Sequence, residues 1–160
     1  ADKDTDSMDE LYSVPKLGGT VAKLNAPLVA SGDVIDFAVS PDSSRVAFYF
    51  IDPEDDTHKI GIGSLETGQR ELEQKVEPAY GGSLIRWMPD GESLLINTVP
   101  GDRANLYRLP LDGSELERLT DFDDQRLYWF ELAPDGETLV VTRGRLSRDA
   151  VLIENFLPSK

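Results

Sequence analysis

"LIRWMPDGESLLINT", residues 84–98, joins an apolar stretch, a Pro-Asp-Gly turn and a second apolar stretch. Nearly the same statement is made by "VIDFAVSPDSSRVAFYF" at 34–50 and by "FELAPDGETLVV" at 130–141. Aligned on Pro41, Pro89 and Pro134, the three copies are spaced 48 and 45 residues apart. The turn has a physical reason. Proline sets φ at the first corner, aspartate tolerates the second, and glycine supplies the positive φ that follows. Pro41-Asp42-Ser43 departs from this, because serine replaces glycine. That hairpin is expected either to use a different turn or to hold Ser43 under strain.

A period near 45 residues belongs to propeller blades or to certain helical arrays. The runs "VIDFAVS", "SRVAFYF", "SLLINT", "RLYWFEL" and "TLVVTRG" are short and rich in β-branched and aromatic residues. Each is bounded by Gly, Pro, Asp or Ser and none carries a 3.6-residue stripe, so they read as strands. Third strands follow in "KIGIGSL", "NLYRLPL" and "DAVLIENF", and fourth strands in "RELEQKV" and "LERLTDF". Four strands per repeat is the anatomy of a propeller blade. The predicted fold is therefore all-β, a partial β-propeller forming a single domain over 1–160. Residues 1–32 read as the end of one blade, 33–82 and 83–125 as blades, and 126–160 as an incomplete closing blade.

Counting back from each proline stacks Phe37, Ile85 and Phe130 in one column and Val39, Trp87 and Leu132 in the next apolar one. Ala38, Arg86 and Glu131 fall between them, on the other face of each strand. Both tryptophans read as core anchors on this pattern, Trp87 because it shares a column with Val39 and Leu132.

At 160 residues the chain has the length of one ordinary domain, and 39% hydrophobic with 29% charged residues is a globular composition. Thirty acidic against sixteen basic residues give a net charge of −14. Such a surface repels phosphate backbones and anionic lipid, so neither nucleic acid nor a membrane surface is an expected partner. The absence of cysteine excludes disulfides, thiolate catalysis and Cys-ligated zinc, and is compatible with an oxidising compartment. No apolar run approaches the ~20 residues of a membrane helix. The start, "ADKDTDSMDE", lacks the positive and apolar regions of a signal peptide.

"NLYRLPLDGSELERLTDF" followed by "FELAPDGETLVV" resembles the WD-like propeller repeats of bacterial TolB-type proteins, and "ELYSVPKLGGTVAKLN" at 10–25 resembles the third and fourth strands of a preceding blade. "LVVTRGRLSRDAVLIENF" is similar to the closing blade of such arrays. The resemblance implies a non-catalytic module that binds protein or peptide, with a periplasmic or extracellular setting, or the sensory end of a regulator. It also admits a gating propeller whose serine-peptidase domain lies outside these residues; a third reading is purely structural, a self-assembling repeat unit, and propellers host many unrelated functions.

Candidate sites are few. Asp2, Asp4 and Asp6 are spaced like the opening of a calcium loop, but Ser7 and Ser13 stand where that loop needs glycine and glutamate, so no metal is expected. "DPEDD" at 52–56 and "DFDD" at 121–124 read as solvated acidic loops that make one rim negative and steer a cationic partner. His58, the one histidine, falls in a variable loop without the partners of a nucleophilic triad. The chain also lacks a nucleophile elbow, a P-loop and a dinucleotide fingerprint, so no cofactor is expected and the chain is not expected to be an enzyme. Arg86 and Glu131, at matching positions of successive blades, read as a structural pair between blades or as channel-lining contacts to a ligand near the ring axis. Asp36, on the first of these strands, joins them as a candidate ligand contact. The blade tally leaves both ends of the array open. The expected state is a homodimer that brings Val151 and Ile153 near Val21 and Leu24 of the other copy, the alternative being further blades in a longer chain.

Overall fold

A computed structural model describes residues 11–24, 33–78, 84–98, 104–123, 125–133 and 135–145. Every regular element among them is a strand: β1 (Tyr12–Ser13), β2 (Ala22–Lys23), β3 (Asp33–Val39), β4 (Arg45–Asp52), β5 (Thr57–Ser64), β6 (Arg70–Lys75), β7 (Ile85–Trp87), β8 (Ser93–Thr98), β9 (Asn105–Pro110), β10 (Glu117–Arg118), β11 (Arg126–Leu132) and β12 (Leu139–Gly144). They make two four-stranded antiparallel sheets, β3-β4-β5-β6 and β7-β8-β9-β10, and two two-stranded ones, β1-β2 and β11-β12. Each sheet follows the chain order, as in a propeller blade. The sheets do not close on themselves, and the architecture is a partial propeller.

The three repeated turns share one closing hydrogen bond, one aspartate cap and one positive-φ position. The Gly91 amide donates to the Met88 carbonyl at 3.0 Å, Gly136 to Ala133 at 2.9 Å and Ser43 to Ser40 at 2.8 Å. The aspartate of each turn caps the amide two residues on, Asp42 to Ser44, Asp90 to Glu92 and Asp135 to Glu137. Gly91 and Gly136 have φ of 67° and 72°, and Ser43 has 61°. The serine hairpin thus keeps the glycine turn and carries the strain of a left-handed side chain. Ser43→Gly should raise stability by about 0.5–1 kcal/mol, the relief of strain less the entropy glycine adds to the unfolded chain. A thermal melt checks this, and a lower melting temperature would refute the strain.

Two serine hydroxyls and an amide also fix Asp42. The Ser40 hydroxyl (2.6 Å), the Ser44 hydroxyl (2.7 Å) and the Ser44 amide all donate to it and hold its carboxyl at about 2, against an ordinary 3.8. A depressed carboxylate contributes stability above the unfolded value and loses it as pH falls through the folded one. The gap in melting temperature between the parent and Asp42→Asn should therefore be widest above pH 3.8 and close towards pH 2. A gap constant with pH would show that the hydrogen bonds do not favour the charged form.

Alternation along the strands sets the packing. Ala47, Tyr49, Ile60 and Ile62 of one four-stranded sheet bury against Ile85, Trp87, Leu94 and Ile96 of the next. Leu95, Ala104 and Leu106 on the far face of that second sheet bury against Leu127 and Phe130 of β11. On its other side, the first sheet packs Val34, Val46, Phe48 and Phe50 beneath Leu11, with Leu24 and Leu65 against them. β3 and β11 each carry a bulge at matching positions, Ile35 and Tyr128, where the pairing register shifts.

Three expectations are corrected. Phe37 and Val39 belong by column to the faces that bury Ile85 and Trp87, yet both are exposed. Their strand face is right, since Phe37 pairs Phe48 and Val39 pairs Val46, but no described sheet lies over that part of β3. Trp129 is exposed as well: it shares a column with Asp36 and the buried Leu84, but no described sheet lies over the outer face of β11-β12. His58 lies on β5 and not in a loop, because the turn before that strand is only Pro53–Asp56. Asp2, Asp4, Asp6, Asp124, Pro134, Val151 and Ile153 lie outside the described residues.

Candidate functional site

Asp36, Arg86 and Glu131 stand on β3, β7 and β11, the first strands of three consecutive sheets. The structure brings all three together. One carboxylate oxygen of Asp36 accepts the Leu84 amide at 2.7 Å and the Ile85 amide at 3.2 Å, so it ties the leading end of β7 to the preceding sheet. Nη1 of Arg86 lies 3.7 Å from that same oxygen and donates to the Ile85 carbonyl at 2.7 Å. Its Nε donates to Glu131 at 3.0 Å. The guanidinium carbon Cζ lies 5.6 Å from the Trp129 ring centre and 5.9 Å from that of Phe130, within cation–π range.

Arg86 is thus flanked by a carboxylate from the sheet before and one from the sheet after, and packs on two aromatic rings of the latter. Asp36 and Arg86 are mostly covered, while Glu131 is exposed. An exposed ion pair by itself contributes little, typically 0–1 kcal/mol. Two backbone amides without an acceptor would cost more, about 1–3 kcal/mol each if buried. The strongest contacts of the cluster therefore serve blade-to-blade alignment, with the Glu131 carboxylate presented to solvent.

A second set of contacts locks the same two four-stranded sheets. The Trp87 indole donates to the Ala38 carbonyl at 2.9 Å, and the Arg45 guanidinium lies 4.8 Å above its ring. Arg45 also donates to the Gly91 carbonyl in the neighbouring turn. Pro89 in turn packs against Gly136, so the three turns follow one another along one rim. In the last described part of the second sheet, the Asn105 side chain accepts from the Phe122 amide at 2.7 Å and the Thr120 hydroxyl at 3.0 Å, holding the path towards β11.

Strand direction alternates, so the Pro53–Asp56 turn and the Asp121–Asp123 segment share the rim opposite those turns. Part of their charge is answered locally. Asp52 pairs with Lys59 at 2.6 Å, Lys59 also reaches Glu73 at 3.1 Å, and Asp121 pairs with Arg118. The hydrogen bond to Lys59 holds Asp52 below the usual carboxylate range, and the two carboxylates raise Lys59. The ring nitrogen Nδ1 of His58 lies 2.6 Å from the Tyr49 hydroxyl, and the histidine is half-buried. Among the described residues, no group of three or more carboxylate or histidine side chains is placed to hold a metal ion.

Two roles were missed by sequence reasoning, the packing of Trp129 beside Arg86 and the capture of two backbone amides by Asp36. Trp129 was read as core, although its place beside the arginine column was visible once the repeats were aligned. The amide-binding role of Asp36 has a plainer signal: a lone carboxylate interrupting the apolar run "VIDFAV" needs donors close by.

No protein-family model matches the chain. Among curated proteins it is similar to the uncharacterized peptidase YuxL of Bacillus subtilis (strain 168), 30% identical over 120 residues, 72% of this chain and 18% of that protein. Among solved structures, a TolB-type protein of Agrobacterium tumefaciens superposes with a TM-score of 0.68 at 22% identity, over 89% of this chain and 48% of that one. TolB of Acinetobacter baumannii gives a TM-score of 0.40 at 17% identity, over 82% and 42%. The chain spans under a fifth of the curated relative and under half of either structural neighbour. The Agrobacterium likeness shows the fold, which is that of TolB-like β-propellers.

Proposed function

We propose, with the TolB-like propeller as premise, that this chain is a non-catalytic module that binds a protein or peptide. One observation carries the reading: the charged groups on the first strands are engaged in joining blades, through Asp36 to two amides and Arg86 to Glu131. The loops and rims are left as the surfaces for recognition, as is common where function sits on segments held by a rigid scaffold. The acidic rim at Pro53–Asp56 and Asp121–Asp123, on a chain of net charge −14, favours a cationic partner. A periplasmic or extracellular place of action accompanies this reading. Binding of the purified chain to basic, neutral and acidic peptides of equal length tests it by biosensor. Saturable binding of the basic set that weakens with salt is expected, and equal binding of all three would overturn it.

A second reading has its own support in the likeness to YuxL, which is described as a peptidase. In that reading the chain is the propeller part of a longer serine peptidase and gates access to a catalytic domain elsewhere. A fluorophosphonate probe separates the two. The longest native polypeptide containing this sequence becomes labelled if the peptidase reading holds and stays unlabelled if it fails. The 160-residue chain itself should take no label under either.

A further inference from the structure

Asp-Gly occurs three times in the chain, at 90–91, 112–113 and 135–136, and Asn-Gly does not occur. Aspartate before glycine carries a latent reaction. The glycine amide nitrogen can attack the aspartate side-chain carbon Cγ, because glycine has no side chain to shield that nitrogen and turns freely about φ. Water leaves from the carboxyl and a succinimide ring forms. Water then opens the ring at either carbonyl, restoring aspartate or giving isoaspartate, whose main chain is longer by one methylene. One water departs and one returns, so the net change is an isomerisation that consumes no co-reactant.

The fold treats the three copies differently. In each, the aspartate accepts the amide two residues on, from Glu92, Ser114 and Glu137. The three glycines also share a positive φ, of 67°, 84° and 72°. The glycine amide separates them. Gly91 donates to the Met88 carbonyl at 3.0 Å and Gly136 to the Ala133 carbonyl at 2.9 Å, so in both the nucleophile is engaged. The Gly113 amide makes no hydrogen bond of that geometry among the described residues. Surroundings separate them again. A Cβ added at Gly136 would meet Pro89 at 2.7 Å and one at Gly91 would meet Arg45 at 3.8 Å, whereas nothing lies within 4 Å at Gly113. Asp112, Gly113, Ser114 and Glu115 are all exposed. The chain is fixed before them by the Leu111 amide on the Glu92 carbonyl and after them by the Glu117–Arg108 pairing. An extra methylene between those two points displaces no buried side chain.

We infer that Asp112 is a site of spontaneous covalent modification, converting through a succinimide with Gly113 to isoaspartate, while Asp90 and Asp135 are protected by their turns. The product presents a free isoaspartyl carboxylate on the surface, the group that carboxyl-methylating enzymes of the isoaspartyl class accept. The Ser114 hydroxyl and amide hold the Asp112 carboxyl below the usual carboxylate range. That slows the attack, since water leaves only from the neutral acid. Folding therefore slows Asp112 in part and the other two sites strongly. The β9-β10 turn lies on the rim of the Pro-Asp-Gly turns, opposite the acidic rim proposed for peptide binding, so either assignment can fail without the other.

The purified chain is aged at neutral pH in buffer and in urea. Isoaspartate is then located by digestion with an aspartate-specific endopeptidase, which does not cleave before isoaspartate, and by electron-transfer fragmentation of the peptides. In buffer, isoaspartate at Asp112 should exceed that at Asp90 or Asp135 at least about tenfold, because attack at those sites must first break a turn hydrogen bond and open packed structure. In urea the three sites should converge, and Asp112 should react faster than in buffer. Asp112→Glu, whose longer side chain disfavours the ring, should lose the buffer signal. Comparable isoaspartate at Asp90 or Asp135 in buffer overturns the proposal. So does an Asp112 that stays intact in buffer while it isomerises in urea. A ranking that survives unchanged in urea overturns it too, since its cause would then be the sequence and not the fold.

Discussion

Replacing Trp87 with alanine should lower stability by about 3–5 kcal/mol, the usual range for truncating a buried aromatic. The indole sits between two sheets, against a cluster that includes Ala47, Tyr49, Ile85 and Leu94. Truncation leaves a cavity there that the strands, fixed by their ladders, cannot easily close. It also removes the donor to the Ala38 carbonyl and the ring beneath Arg45. Trp87→Phe keeps most of the apolar area but loses that hydrogen bond, and should cost about 0.5–1.5 kcal/mol for the bond itself, plus repacking. Urea unfolding of the three proteins measures the series. A Trp87→Ala unfolding free energy within about 1 kcal/mol of the parent, at unchanged m, would remove Trp87 from the core.

Gly61→Val is the second large effect, and two principles disagree on its sign. Strand propensity favours valine over glycine by up to about 1 kcal/mol, because glycine weakens a strand interior. Sterics oppose it. Gly61 pairs directly with Phe48 across β4 and β5, and a Cβ added there overlaps the phenyl ring. Phe48 has nowhere to go, being wholly buried among Val46, Phe50 and Leu11. Overpacking of this kind costs typically 1–3 kcal/mol and more when the obstacle is immobile, so destabilisation at or above about 3 kcal/mol is expected. Phe48→Leu should partly rescue the variant. Purely additive effects of the two substitutions would mean that the ring does not rest on the glycine.

The strands and turns were legible because period-2 alternation and Pro-Asp-Gly chemistry are local. The second and third turns obey the expected geometry, and Ser43 keeps that geometry at a positive φ. Which face each residue occupies was legible too, since Phe37 and Val39 do lie on the side of Phe48 and Val46. Whether that face is covered was not, because coverage depends on what stands next to the sheet and no column of residues records it. The same gap explains Trp129, whose exposure follows from the open outer face of β11-β12. For His58 the error was one of length. A tight turn at Pro53–Asp56, with Asp56 at φ 55°, let the strands run further than the polar sequence suggested. At the candidate site the Arg86–Glu131 pair was visible from repeat alignment. The capture of two backbone amides by Asp36 was not, since it depends on how closely β3 approaches the start of β7.

The β7-β8-β9-β10 sheet is enclosed on both faces, while its neighbours each have one face partly open. In a linear array whose units touch only adjacent units, free energy is a sum of intrinsic and nearest-neighbour terms. The enclosed unit collects two such coupling terms and the end units fewer. Fluctuations that open the backbone should then be graded, rarest in the middle and commonest towards either end. The described sheets should then open less like one solid than like a short row of coupled switches, and anything that covers a partly open face should raise the cooperativity of the row.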